Sequence, residues 1–266
     1  MICVTDSLRF RHVVYRNYRV WRKLLLASIV GNLVDPLFWL VGLGFGLGSL
    51  LPTVGGMPYL EFLGSGMICY GVMYSASFEA LWSAFARLKQ QRTWEGILHA
   101  PMTITDIVVG EWVWAALKGM LSGIAILAVM TALGLVHGFM ALWALPVMLL
   151  TGLAFSGIAL VITALAKSYD HFVYYFTLFI TPMMLVSGVF FPTAQLPRAV
   201  QLVAQVLPLS HATRLARGLV LGRPVENAAL HVAALALVAR IIKRDDLDFR
   251  AAQIDAKAHA GPQSLS

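Results

Sequence analysis

Four glycines at two-residue spacing, Gly42, Gly44, Gly46 and Gly48, are the first residues that could do chemistry. A glycine-rich loop can turn its backbone N–H groups onto a phosphate, but such a loop follows a strand and opens a helix. These four lie inside a long apolar run, so they read instead as two small-x-x-x-small pairs. Gly42 with Gly46, and Gly44 with Gly48, would let a second helix approach closely. No lysine completes a phosphate loop, because Lys167-Ser168 is preceded by Ala166, and the chain is not expected to hydrolyse ATP. The seven histidines, at 12, 99, 137, 171, 211, 231 and 259, are not paired at ligand spacing along a helix, and no metal is expected. Ser65 sits between Gly64 and Gly66, yet no histidine partner or oxyanion donor is identifiable for it. No catalytic residue is therefore assigned, and the chain is expected to be no enzyme.

Two carboxylates are more informative. Asp35, directly before Pro36, and Glu79 both fall within apolar runs, where an ionisable group is costly and faces a cavity or a partner. Either could serve an ion or substrate path. Either could equally lock two helices together, and Glu79 could also reach the interface two helical turns from Arg87. No chain of titratable groups crosses the membrane to make a proton relay.

The elements that must position these residues follow from composition. Of 266 residues 59% are apolar and 12% charged, with a mean hydropathy of +0.77. Soluble domains carry about a quarter charged residues, so an ordinary cytosolic enzyme is excluded and a multi-pass membrane protein is predicted. Against the roughly 20 residues needed to cross about 30 Å of hydrocarbon, spans are expected near 24–48, 60–86, 105–133, 142–166, 172–191 and 225–242. The fold class is thus an all-α integral membrane protein with six transmembrane helices, the sixth short. Residues 1–242 form one transmembrane domain.

Charge gives the orientation. Arg87, Lys89 and Arg92 occupy the loop 87–104 and Lys167 the loop 167–171, whereas 49–59 and 134–141 hold no Lys or Arg. By the positive-inside rule both termini are cytoplasmic. The formal charge of +7 maps onto this topology, and no nucleic acid partner is expected. Arg198, Arg214, Arg217 and Arg223 lie in the loop 192–224, on the outer side, as exceptions. Arg9, Arg11, Arg16, Arg19, Arg22 and Lys23 alternate with Phe10, Val13, Val14, Tyr18 and Trp21 at helical spacing. Residues 9–23 are accordingly expected to form an N-terminal interfacial helix, or else a solvated basic stretch leading into the first span. This end lacks a secretory signal pattern and is expected to be retained.

Thr103-x-x-Asp106 reads as the start of the third span, whose 29 residues would reach roughly 43 Å. Its first half carries Asp106, Glu111 and Lys118 and should stand in the cytosol. Pro101 separates it from residues 92–99, where Arg92, Thr93, Trp94, Glu95, Ile97 and Leu98 make a short amphipathic element tied to two long spans. A soluble partner gripping Trp94, Ile97 and Leu98 could transmit movement into both spans, although a plain interfacial loop helix has the same features. Between spans five and six, Pro192, Pro197 and Pro208 punctuate an apolar stretch with Leu196, Val200, Val203 and Leu207 on one face. This reads as an outer re-entrant helical hairpin packed on the other helices, since broken backbone cannot face lipid.

Assembled in order, these pieces resemble the membrane subunits of ABC-2 type exporters, and within them the NodJ family of lipo-oligosaccharide export permeases. The resemblance runs from about Arg16 to Val232. It rests on Gly31-Asn32-Leu33 with Asp35-Pro36 and Gly42 to Gly48, on Phe85-Ala86-Arg87 with Gln91 to Glu95, on Leu150 to Phe155, and on Ser168-Tyr169-Asp170. Further along it rests on Ile180 to Met183, Ser187-Gly188, Phe191-Pro192 with Gln195 to Pro197, and Leu207 to His211. It implies a homodimer of permeases with two NodI-like ATP-binding subunits, which carry the ATP and Mg while this chain binds no cofactor. It implies a cargo of lipo-oligosaccharide, polysaccharide or related glycolipid, moved out across a bacterial inner membrane. It makes 92–99 the coupling helix on the ATPase and 191–211, with Pro192, Pro197 and Pro208 ending their helices and His211 and Arg214 following, the hairpin that caps the path.

The end of the chain departs from that family. Arg240 and then Lys243-Arg-Asp-Asp-Leu-Asp248 interrupt the sixth span after 15 residues, about 22 Å of helix. The polar tail 243–266 is expected to be an altered terminus; a short tilted span with Arg240 snorkelling is the other reading. The rival function is an ion-coupled secondary transporter or channel using Asp35 and Glu79. An enzyme acting on lipid-linked sugars is disfavoured, because no acid/base pair sits with a nucleophile or metal at one membrane face.

Overall fold

The computed structural model describes residues 8–51 and 53–241, the side chains of Ala27, Ile29, Asn32, Leu33, Asp35 and Ile241 excepted. The tail 243–266 lies outside the described residues. The chain is predominantly helical. Its elements are α1 (Phe10–Lys23), α2 (Leu25–Leu50), a two-residue hairpin β1 (Thr53–Val54) and β2 (Met57–Pro58), α3 (Tyr59–Phe78), α4 (Thr93–Leu98) and α5 (Ile104–Ala132). After these come α6 (Ala144–Leu165), α7 (Asp170–Tyr174), α8 (Thr181–Val186), α9 (Arg198–Val206), α10 (Pro208–Val220) and α11 (Ala228–Ile241).

Helix α3 is the axis of the molecule. It is buried on nearly every side, from Phe62 through Met73 and on to Ser77, and it packs against α2, α5, α6 and α10. Small residues set the spacing. A Cβ on Gly119 of α5 would meet the Val72 carbonyl oxygen of α3 at 2.7 Å, and one on Gly152 of α6 would meet the Ala116 carbonyl oxygen of α5 at 2.8 Å. These helices therefore touch backbone to backbone. Of the glycine pairs in α2, Gly44 faces α3, where Leu60 presses on it, whereas Gly42 and Gly46 have nothing within 4 Å. The expected close approach is made by one pair, not both.

The α3 helix does not stop at Phe78. It continues through π-helical turns at Glu79–Ser83 and Ala86–Gln90, and a third such turn, Tyr175–Ile180, joins α7 to α8. A π turn is a rare, wider winding that disturbs the usual hydrogen-bond ladder, and hydroxyls stand at these carbonyls. Thr163 Oγ1 donates to Ala80 O at 2.7 Å, and Thr181 Oγ1 donates to Phe176 O at 2.9 Å. The two wide segments face one another: Ser77 and Tyr175 hydroxyls lie 3.3 Å apart, and Trp82 meets Phe172 and Phe176 edge to face.

Among the described residues, Ile104–Ala132 and Phe139–Leu165 are long and apolar enough to cross a membrane, and shorter apolar helices lie at Pro36–Leu50, Asp170–Val186 and Ala228–Arg240. Helix bounds fall within a few residues of the expected spans, with one difference. The fifth ends at Val186, not 191, because Gly188 takes φ +76 and the chain turns there. The start of α5 is as read from Thr103-x-x-Asp106: the Thr103 hydroxyl accepts from the Asp106 N–H at 3.2 Å, and the Asp106 carboxylate accepts from the Thr103 N–H at 3.0 Å.

The loop 192–224 requires a correction. Pro197 is the residue before α9 and Pro208 the first residue of α10, so both prolines begin helices where the sequence reading had them end one. A proline lacks an N–H that a first helical turn cannot use anyway, which suits it to that position. Only half of the stretch packs as expected. Helix α10 is buried against α3, α6 and α11, while α9 leaves Leu202, Val203 and Val206 exposed.

Candidate functional site

The π turns end α3 in a buried charge cluster. Glu79 Oε1 accepts from Arg87 Nη2 at 3.0 Å and from the Trp114 indole N–H at 3.0 Å, while its Oε2 pairs with Lys118 Nζ at 2.6 Å. Arg87 forks onto Glu111, with Nε to Oε1 at 2.9 Å and Nη2 to Oε2 at 2.5 Å. Two carboxylates and two cations thus neutralise one another. The side chains of Glu79 and Glu111 are 3% and 1% exposed, so these pairs are nearly free of solvent screening. Glu79 is the helix lock of the two readings, binding the end of α3 to α5.

Helix α1 docks on this end. Val13 lies against Gly110 of α5, Trp21 meets Trp114 edge to face, and Arg9 Nη1 donates to Pro101 O at 2.8 Å. The Arg16 guanidinium reaches the charge cluster as well. Burial and the neighbouring Arg87 hold it below its ordinary value, and Glu111 acts in the opposite sense. The expected amphipathic helix over 9–23 is present as Phe10–Lys23, with Val13 and Asn17 as its buried residues and Tyr18 exposed.

Between the locked end of α3 and the start of α5 stands α4. Arg92 precedes it with φ +47, a left-handed turn that reverses the chain sharply. The candidate coupling residues divide. Trp94 is 3% exposed and packs into the protein's own core, whereas Arg92 and Glu95 are exposed and form a loose 3.9 Å ion pair. Thr93, Ile97 and Leu98 are half-buried. Trp94 does not stand open for a partner to grip, as the sequence reading had it, because the indole is packed into the protein's own core and anchors α4 there. What α4 offers outward is its polar edge, Arg92, Glu95 and Gly96.

On the far side, His211 and His231, which no helical spacing joins, meet across α10 and α11 with their Nδ1 atoms 2.7 Å apart. Arg214 is exposed nearby, and it lines one cavity with the two histidines and with Thr193, which follows Pro192. The side chain of Asp35 lies outside the described residues.

Sequence reasoning set Glu79 near Arg87 but did not foresee that Trp114 and Lys118 of α5 would bond to it. The available signals were the spacing of eight between Glu79 and Arg87 and of seven between Glu111 and Lys118, each close to two helical turns. Glu111 and Lys118 are not solvated as expected of a cytosolic helix start, because α1 and α3 cover them.

The site thus consists of an amphipathic helix laid against a helical bundle, with a short helix beside a cluster of buried, mutually paired charges. Residues 9–221 match the ABC-2 type transporter family, and the chain belongs to it. Within it the chain is 49% identical over 220 residues to Nodulation protein J of Rhizobium meliloti (strain 1021), covering 83% of this chain and 84% of that one. It is 49% identical over 224 residues to Nodulation protein J of Bradyrhizobium diazoefficiens, covering 84% and 86%. A more distant relative, the inner membrane transport permease YadH of Escherichia coli (strain K12), is 27% identical over 204 residues, covering 74% and 75%. The chain is a membrane protein and a transport subunit, not a catalyst.

Proposed function

We propose that this chain is the permease of an ABC exporter in a bacterial inner membrane, working as a homodimer with two copies of a NodI-like ATP-binding subunit that supplies ATP and Mg. Six spans near 24–48, 60–86, 105–133, 142–166, 172–191 and 225–242 carry both termini on the cytoplasmic side. Residues 191–211 form a re-entrant hairpin over the outer end. The cargo is a lipo-oligosaccharide or a related amphipathic glycolipid, in keeping with the names of the nodulation relatives.

The observation that carries this reading is the placement of α4. A six-residue helix whose polar edge faces out, anchored inward by Trp94 and flanked by the Glu79–Arg87–Glu111–Lys118 cluster, is suited to pass a push to α3 and α5 together. The cluster also weighs against the ion-coupled alternative with Asp35 and Glu79, because all of Glu79's charge is committed to Arg87 and Lys118.

The test is co-purification of the tagged chain in mild detergent, with ATPase activity measured in the eluate. Glu95→Lys should release the ATP-binding subunit and leave the melting temperature of the permease unchanged. Trp94→Ala should instead lower the permease's own stability by about 3–5 kcal/mol, the range for emptying a buried aromatic site. ATPase that stays bound through Glu95→Lys and Arg92→Glu would overturn α4 as the contact. A folded chain that never co-elutes with an ATPase would overturn the exporter reading.

A further inference from the structure

A cavity of about 610 Å3 opens beside the hairpin, and its wall is strongly cationic. Helix α10 lines it with His211, Arg214 and Arg217, the turn after α10 adds Arg223 and Glu226, and α11 adds His231. Three arginines and two histidines thus line the cavity with one carboxylate, Glu226, and the Arg217 guanidinium forms part of its floor. Among the described residues no carboxylate lies within ion-pair distance of any of the three.

Arg217 is held by neutral acceptors alone: Ser65 Oγ at 3.1 Å, Phe62 O at 3.1 Å and Gly188 O at 2.8 Å, with its guanidinium carbon 3.7 Å from the centre of the Phe62 ring. Those contacts orient the charge without cancelling it. Arg223 Nη2 donates to Gly56 O at 2.9 Å, which holds its side chain in place. The histidine pair adds a proton donor that can turn to a ligand. One Nδ1 must donate to the other across 2.7 Å, so the pair is at most singly protonated as it stands. Burial, His231 and Arg214 hold His211 below its ordinary value, and a bound anion would act in the opposite sense.

We propose that this cavity is a binding site for the phosphate or sulfate ester of a larger molecule. Donors reach it from α10, from the following turn and from α11, and a tetrahedral oxyanion offers oxygens in as many directions, whereas a planar carboxylate would satisfy one fork. The cavity is roughly twenty times the ≈ 30 Å3 share of one water molecule, so a bare ion would leave most of it unfilled and the ester's substituent occupies the rest. Two sources present this chemistry, the head of an anionic membrane lipid and a free ester in solution. The site goes beyond the export reading and does not depend on it.

The experiment uses the purified full-length chain and no ATPase. One arm titrates sn-glycerol 3-phosphate by calorimetry in uncharged detergent at constant ionic strength. The other arm places the chain in nanodiscs of phosphatidylcholine with phosphatidylglycerol and counts retained phosphatidylglycerol by native mass spectrometry. Binding in the first arm identifies a free ester, and retention in the second alone identifies a lipid head. In whichever arm responds, Arg214→Gln and Arg223→Gln should each weaken binding about tenfold, the loss of one charge-assisted fork. Glu226→Gln should tighten it several-fold, a gain that a merely damaged fold would not give. Absence of binding in both arms, wild-type binding by the two arginine variants, or weakening by Glu226→Gln would each overturn the site.

Discussion

Glu79 engages three donors at once, and its worth to the protein lies in that arrangement more than in any one bond. Removing the charge in Glu79→Gln leaves Arg87 and Lys118 buried with one carboxylate between them, and should cost about 3–5 kcal/mol of stability. Taking away one charge of each sign, in Glu79→Gln with Lys118→Met, should recover much of that loss, because Arg87 and Glu111 then balance. Thermal melting of the four proteins in detergent measures the cycle. Additive losses would mean the ion pairs are incidental to the helix contact. The spacing Glu79 to Arg87 was visible in the sequence, but the partners on α5 stand 24 to 39 residues away, and no local pattern announces a pairing made by tertiary packing. The inward turn of Trp94 was hidden for the same reason. An aromatic on a short amphipathic helix looks alike whether its own protein or another covers it.

At the level of the elements, the apolar runs were legible because hydrocarbon imposes a length on every span, and the helices follow those runs closely. The π turns were not. They depend on distant hydroxyls such as Thr163, which meets the Ala80 carbonyl from another helix. Glycine tells the same story in small. The pattern Gly42 to Gly48 drew attention to α2, yet the closest approaches to another helix's backbone are at Gly119 of α5 and Gly152 of α6. Gly152→Val would drive a side chain into the backbone of Ala116, which cannot move aside, and should strongly destabilise or unfold the protein. Gly46→Ala enters open space and should leave stability within about 1 kcal/mol of the parent, with helix propensity favouring it. Melting of the pair decides whether α5 and α6, and not the glycine-rich helix, form the rigid centre.

For the whole molecule, the orientation drawn from charge makes a direct prediction. In a Cys3→Ser background, a cysteine introduced at Met140, which is 54% exposed, should react with a membrane-impermeant maleimide in intact cells. A cysteine at Lys89 should react only after the inner membrane is opened, and Cys69, fully buried, should stay silent in both. Reversed labelling would invert the topology. Helix α5 runs unbroken for 29 residues, with the charge cluster in its first half at Glu111 and Lys118. At about 1.5 Å per residue it is a rod of roughly 43 Å, so a tilt of about 10° at one end sweeps the other through about 7 Å. Under the coupling proposed at α4, such a tilt would carry α3 and α6 with it, because the backbone seams at Gly119 and Gly152 leave these helices no room to slide past α5.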